Sequence, residues 1–109
     1  MDWNVCLKQR EAKLVQPDLE MASSLEKTSA NKYFSSNLLI LKEETAASKI
    51  SLSYDSVREL LEAAALRRGF KIYNHACYTG FLTEIMKKEE IADEFDELRS
   101  QRKLTTAGQ

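Results

Sequence analysis

Glycine, proline, cysteine and histidine are all scarce in this sequence of 109 residues. It has three glycines, one proline, two cysteines and a single histidine, His75. So few glycines and prolines argue against a turn-rich β fold and favour long helices. Cys6 and Cys77 have neither the spacing of metal ligands nor that of a disulfide framework, so we expect both thiols to be reduced.

Long apolar runs and an excess of basic charge are also lacking. No apolar stretch approaches membrane-spanning length, and the first residues, MDWNVCLKQREAKL, lack the apolar core of a signal peptide. The formal net charge of −1 gives no overall basic surface of the kind that non-specific nucleic-acid binders carry, although a local basic patch is compatible with it. We expect a cytoplasmic protein that does not contact a membrane.

Apolar residues at helical spacing are clearest in EETAASKISLSYDSVRELLEAAALRRG. They recur at intervals of three and four residues, which places them on one face of a helix. Gly69 follows where a helix is usually terminated. The segment is therefore the strongest helix prediction in the chain, and its stripe is Ala46, Ile50, Tyr54, Val57, Leu61 and Ala64.

Three further segments are predicted to be helical. QPDLEMASSLEKTSANKYFSSNLLIL begins with Pro17 in the first turn and allows a break at 35–37. HACYTGFLTEIMKK follows the capping residue Asn74, and EEIADEFDELRSQRKL has its acids first and its bases last, as the helix dipole favours. No strand pattern competes with these helices.

The predicted fold class is all-α. We expect an antiparallel up-and-down four-helix bundle with short loops, with or without a short extra N-terminal helix. The predicted organisation is an N-terminal segment 1–16, a helical bundle 17–104 and a frayed tail 105–109.

The segments YDSVRELLEAAALRRGFKIYNH, YTGFLTEI and ADEFDELRSQR, in this order, resemble a HEPN domain. The resemblance covers roughly residues 17–102, and it is closest to the small stand-alone prokaryotic members that are often encoded beside minimal nucleotidyltransferases. It implies a helical bundle that pairs as a homodimer. Some members are metal-independent ribonucleases or toxins, and others are non-catalytic partners of a nucleotidyltransferase, of nucleotides or of RNA.

Catalytic members of that family carry an arginine, then four to six residues, then a histidine, late in the bundle. Arg68 and His75 have six residues between them, but they lie between the second and third predicted helices. We favour a structural role in which His75 orients the start of the third helix, and a catalytic role for Arg68 and His75 is the alternative. In the late segment LRSQRKLTTAG, Arg99 and Arg102 are present but no histidine follows.

Basic residues near aromatic ones are candidates for binding a nucleotide or nucleic acid by charge and stacking. A basic helix end with its aromatic rings packed into the core is the commoner explanation. The acidic side chains of the last predicted helix lie on one exposed face and do not converge, so we predict no metal and no cofactor. The binding candidates are Arg67, Arg68, Lys71, Tyr73, Arg99 and Arg102.

Three functions follow from these residues and from the resemblance. The first is a non-catalytic HEPN-like interaction module that self-associates and binds a protein such as a nucleotidyltransferase, as in a toxin–antitoxin pair. The second is a metal-independent endoribonuclease that uses Arg68 and His75. The third is a nucleotide or RNA binder without chemistry. Because the late histidine is missing, we favour the first.

Overall fold

The computed structural model describes residues 2–107, with side chains described as far as residue 104. Gly108 and Gln109, the end of the predicted tail 105–109, lie outside the described residues. Within the described part, the domain is mostly helical, with five α-helices and a two-stranded sheet. The elements are α1 Trp3–Lys8, β1 Ala12–Leu14, α2 Leu19–Leu38, α3 Ala46–Arg67, β2 Phe70–Ile72, α4 Cys77–Gly80, a π-helical turn Phe81–Ile85, and α5 Glu89–Ala107.

The prediction of a mostly helical domain is confirmed, and so is the short extra helix at the N-terminus, α1. The prediction that no strand forms is wrong. β1 pairs antiparallel with β2, with Ala12 opposite Ile72 and Leu14 opposite Phe70. This pairing fixes the N-terminal segment against the connection between α3 and α4.

The hairpin of α2 and α3 starts at Asp18, whose side chain accepts a hydrogen bond from the backbone N–H of Met21 at 3.0 Å. The oxygen of such a capping residue satisfies an N–H that has no partner inside the helix. Pro17 therefore precedes the capping residue. The prediction that it lies in the first turn of the helix is wrong. α2 runs to Leu38 without a break at 35–37, which the sequence allowed.

α2 and α3 run antiparallel and meet through polar side chains. The hydroxyl of Ser29 donates to the carbonyl of Ser56 at 2.7 Å, and the hydroxyl of Ser56 donates to the carbonyl of Ser29 at 2.9 Å. Nearby, Lys32 forms an ion pair with the buried carboxylate of Glu59 at 2.6 Å. Because buried polar groups need partners, these contacts fix the register of the two helices.

The main apolar core lies between α3, α4, the π-helical turn and α5, and α1 closes one side. Trp3 packs edge-on against Phe70 and tilted against Phe81. None of the helices in the described part is both long and apolar enough to cross a bilayer. The largest fully buried side chains of the core are Tyr54, Tyr78, Phe81, Phe95 and Leu82.

A disulfide bond joins Cys6 of α1 to Cys77, the first residue of α4, across 71 positions of the chain. Both cysteines are fully buried. The prediction that both thiols are reduced is therefore wrong. The bond attaches α1 to the start of α4, two residues after His75.

Gly69 follows the end of α3, where the sequence predicted that the helix terminates, and its backbone φ is +80°. Its carbonyl accepts a hydrogen bond from the backbone N–H of Val15 at 2.8 Å. A Cβ at this position would lie 2.9 Å from the carbonyl oxygen of Val15. Both the left-handed conformation and the close approach of the two backbones therefore require glycine.

Candidate functional site

His75 lies in the turn between β2 and α4, where its exposed ring faces the later turns of α5. The ring opens onto a surface crevice of about 470 Å³, which we call the arginine crevice. Basic side chains of α5 form one wall, and the turn before α4 forms the other. The lining residues are Glu11, Tyr54, Tyr73, Asn74, His75, Ala76, Arg99, Arg102 and Lys103.

The turn that carries His75 is held by the N-terminal segment. The side-chain amide of Asn74 donates to the carboxylate of Glu11 at 3.1 Å, and its side-chain oxygen accepts from the N–H of Ala76 at 3.0 Å. The N–H of Tyr73 donates to the carbonyl of Glu11 at 2.8 Å. Together with the disulfide, these bonds fix where the imidazole lies.

The imidazole of His75 also forms a hydrogen bond with a buried side chain of α3. The hydroxyl of Tyr54, a buried residue of α3, lies 2.9 Å from Nδ1 of His75. The ring of Tyr54 in turn stacks on Phe95 at 5.7 Å between centroids. Because one ring nitrogen is engaged with a fixed hydroxyl, the orientation of the imidazole is defined and Nε2 is the nitrogen left for other partners.

Both members of this pair are neutral at pH 7. Although His75 is exposed as a residue, the part of its ring that packs on the protein is desolvated, which lowers its pKa below the ordinary value, and the positive charges of Arg58 and Arg102 lower it further. Burial likewise raises the pKa of the Tyr54 hydroxyl, although Arg102 opposes that shift. Desolvation disfavours the charged form of any group, which explains the opposite directions. His75 can therefore accept a proton at neutral pH.

Arg99 and Arg102 lie one turn apart on α5, and both are partly buried. The guanidinium of Arg102 lies over the ring of Tyr54, 5.0 Å from its centroid. The guanidinium of Arg99 is 3.7 Å from the carboxylate of Asp96, and its buried Nε has no hydrogen-bond partner within residues 2–107. Planar guanidinium groups beside an exposed lysine are suited to phosphate oxygens.

The structure brings His75 together with Arg99 and Arg102, which were separate candidates in the sequence. It does not bring Arg68 to His75. Arg68 ends α3 in an exposed position, where its guanidinium donates to the carbonyl of Ala64 at 3.2 Å. It does not line the arginine crevice.

The two remaining basic candidates, Arg67 and Lys71, lie on different surfaces of the domain. Arg67 is directed to α2, where it forms an ion pair with Glu26 and donates to the hydroxyl of Ser23. Lys71 lies on β2, with its ammonium 5.6 Å from the ring centroid of Tyr73. The basic cluster seen in the sequence is therefore divided between two surfaces.

Some contributors to the crevice were missed as site candidates. Lys103 directly follows Arg102, so the basic end of the last helix was visible in the sequence. Tyr54 was noted as a member of the apolar stripe of α3 but was not among the site candidates. Glu11 gave no signal, because its place in the crevice depends on the pairing of β1 with β2.

A second surface pocket, of about 450 Å³, lies between the π-helical turn and the start of α5. Its charged lining is Lys87, Lys88, Glu89 and Glu90, so its charges largely cancel. Within the described residues, no cluster of three or more histidine, cysteine or acidic side chains could hold a metal ion. The arginine crevice is therefore the best candidate site.

Comparisons with protein-family models, with curated proteins and with solved structures found no match. The functional argument therefore begins from the geometry of the crevice.

Proposed function

We propose that this protein binds the phosphate groups of RNA or of a nucleotide in the arginine crevice. One observation carries the proposal: Arg99, Arg102 and Lys103 line the same open crevice as the imidazole of His75. Two guanidinium groups on consecutive turns of one helix can clamp a phosphate, and the lysine adds a mobile positive charge.

The charges in the crevice favour an anion. Glu11 is the one carboxylate among the lining residues, and its oxygen already accepts from Asn74. Three positive side chains therefore line the crevice with one engaged acid, and Asp96, which lies beside Arg99, balances part of that charge from outside the lining. Grouped charges of one sign in a concave surface raise the local concentration of the opposite ion.

A fluorescently labelled, single-stranded oligonucleotide tests the proposal. Its 2′-O-methyl form is used because it cannot be cleaved through the 2′-hydroxyl. We expect log affinity to fall linearly with log salt concentration, with a slope of about −0.7 for each phosphate contact on a single strand. Arg99→Gln and Arg102→Gln each weaken binding and reduce that slope by about 0.7.

Arg68→Gln is the matched control, because Arg68 is an exposed arginine outside the crevice. It leaves affinity and slope unchanged if the proposal is right. An equal loss in Arg68→Gln and Arg99→Gln would assign binding to diffuse surface charge and overturn the proposal.

A second candidate function is metal-independent cleavage of the bound RNA. The observation that favours it is the hydrogen bond between the Tyr54 hydroxyl and Nδ1 of His75. In the tautomer in which Nδ1–H donates to the hydroxyl oxygen, Nε2 of the neutral ring carries the lone pair and can act as a base. Nε2 would remove the proton of a 2′-hydroxyl, whose oxygen attacks the adjacent phosphorus. The 5′-oxygen leaves and takes a proton from the imidazolium or from water, while Arg99 and Arg102 stabilise the negative charge.

This candidate predicts cleavage of an unmodified oligonucleotide in excess chelator. Activity disappears in His75→Gln and persists in Arg68→Gln. Intact RNA after prolonged incubation with the wild-type protein would leave the crevice as a binding site only.

The resemblance to HEPN domains is compatible with both candidates, because the catalytic members of that family use an arginine and a histidine late in the bundle, and other members bind nucleotides or RNA. In this chain we propose that the histidine comes from the turn before α4 and the arginines from α5. An up-and-down four-helix bundle, self-association and a nucleotidyltransferase partner remain parts of this proposal. Exposed apolar side chains that could take part in an interface are Tyr33, Phe34, Leu38, Ile40 and Leu41.

A further inference from the structure

The two-stranded sheet carries a positive cluster around one aromatic ring. Lys13 of β1 lies directly opposite Lys71 of β2. Their ammonium groups each lie 5.6 Å from the ring centroid of Tyr73. Like charges that face each other across neighbouring strands repel, so this arrangement destabilises the sheet.

Neither lysine is neutralised by a direct ion pair in the described part of the chain, although Lys71 lines a surface pocket that also contains Asp18 and Glu62. Arg10 adds a third positive charge, since it lines a surface pocket of about 510 Å³ together with Lys13 and Tyr73. The cluster is therefore a place where an anionic ligand would relieve repulsion.

Tyr73 connects this cluster to the arginine crevice. It lines both cavities, and half of its surface is exposed. Arg99, Arg102 and Lys103 line one of these cavities, and Arg10 and Lys13 line the other. A ligand that touches both must therefore pass over Tyr73.

We infer that Tyr73 is a stacking subsite for a base of single-stranded nucleic acid. The inference rests on the proposed phosphate site: one phosphate lies in the arginine crevice, the adjoining base lies on the ring, and the next phosphate lies near Lys13 and Lys71. Aromatic rings beside a basic groove bind single strands in this way, because every base offers a flat face.

The arrangement selects against other nucleic-acid ligands. A duplex keeps its bases stacked on each other, so they are not free to lie on a protein ring. A mononucleotide has a base but cannot place phosphates on both sides of Tyr73. The preferred ligand is therefore a single strand of at least two nucleotides.

The inference is tested by comparing the affinities of two Tyr73 variants with that of a control variant at Tyr33. Tyr73→Leu removes the flat ring, and Tyr73→Phe keeps it. Tyr33→Leu is the control, because Tyr33 is an exposed tyrosine of α2. The probes are 2′-O-methyl uridine tetranucleotide, uridine 3′-monophosphate and inorganic polyphosphate, with affinities measured at one salt concentration.

We expect Tyr73→Leu to bind the tetranucleotide about tenfold more weakly, in line with the contribution of one stacked base. The same variant binds polyphosphate within about twofold of the wild type, whereas uridine monophosphate binds more weakly, because its base also lies on the ring. Tyr73→Phe and Tyr33→Leu keep wild-type affinity for all three probes. Lys13→Ala weakens the tetranucleotide and polyphosphate but not the monophosphate.

Two results would overturn the inference. One is wild-type affinity of Tyr73→Leu for the tetranucleotide, and the other is an equal loss for polyphosphate, which contains no bases and would reveal a charge effect only. If the underlying phosphate site were wrong, the result would be a different one. The wild-type protein would then bind none of the three probes through Arg99 and Arg102.

Discussion

The hydroxyl of Tyr54 lies 2.9 Å from Nδ1 of His75, and it links the middle of the longest helix to the turn before α4. Tyr54 is itself held by the stacked ring of Phe95 and by the guanidinium of Arg102 over its ring. The orientation of the imidazole therefore depends on the packing of α3 against α5.

Replacing Tyr54 by phenylalanine removes that hydrogen bond and little else. We expect the free energy of unfolding to fall by about 1 kcal/mol, the usual contribution of such a bond. The ring nitrogens of His75 should then lose their preference for one tautomer, which nitrogen NMR of the imidazole detects directly. If RNA is cleaved, kcat falls while KM is unchanged, because Tyr54 acts through His75.

Tyr33→Phe is the control for that experiment, since Tyr33 is exposed on α2. It should alter neither the imidazole spectrum nor the stability. An unchanged tautomer equilibrium in Tyr54→Phe would show that the bond does not orient His75.

The charge of His75 gives anion binding a pH dependence. Its pKa is lowered in the folded protein, so the ring is neutral at pH 7 and becomes positive only below about pH 6.5. Sulfate is the appropriate probe, because it keeps its charge throughout this range. We expect sulfate affinity to be constant from about pH 8 to 7 and to rise at lower pH as the ring becomes protonated and adds a positive charge to the crevice.

His75→Gln should remove this rise and keep the affinity measured at high pH. A rise that persists in His75→Gln would assign the pH dependence to another group. The other charged groups around the imidazole and crevice are Arg58, Asp55 and Glu62 of α3, Arg99, Arg102 and Lys103 of α5, and Glu11.

The helices were predictable from the sequence because their signals are local. The stripe of α3 recurs without interruption, and Gly69 marks its end. α2 was harder, since the residues it buries are Ala22, Ser29 and Ser36, which carry little hydrophobic signal. Ser36, within the segment where a break was allowed, instead contacts α3, where its hydroxyl lies 2.9 Å from that of Ser53.

The strands and the disulfide were missed because their causes are not local. β1 and β2 have three residues each and include the charged residues Lys13 and Lys71, so no alternation can be recognised. Cys6 and Cys77 are 71 positions apart, and the sequence does not give their separation in space. For the same reason, Arg99 and Arg102 were identified as a possible anion site without the histidine that faces them.

The disulfide should contribute much of the stability of this small domain. A cross-link that closes a loop of 71 positions restricts the unfolded chain, and the expected contribution is roughly 4 kcal/mol. The double variant Cys6→Ala/Cys77→Ala should lose about that amount in urea unfolding. A dithiol reductant should destabilise the wild-type protein similarly and have no effect on the double variant.

The same experiment shows whether the crevice depends on the bond, because Cys77 follows His75 by two residues. We expect the double variant, studied well below its unfolding midpoint, to bind sulfate more weakly than the wild type. If the reductant leaves the stability of the wild-type protein unchanged, the two cysteines are not joined in solution.

The backbone conformation at Gly69 supports the last prediction. Gly69→Ala introduces a left-handed non-glycine residue and places a Cβ 2.9 Å from the carbonyl oxygen of Val15. We expect a loss of about 1–3 kcal/mol in the free energy of unfolding. Gly69→Asn separates the two causes, because asparagine tolerates the left-handed conformation but carries the same Cβ. If asparagine is as destabilising as alanine, the close approach to Val15 dominates; wild-type stability in Gly69→Ala would contradict both causes.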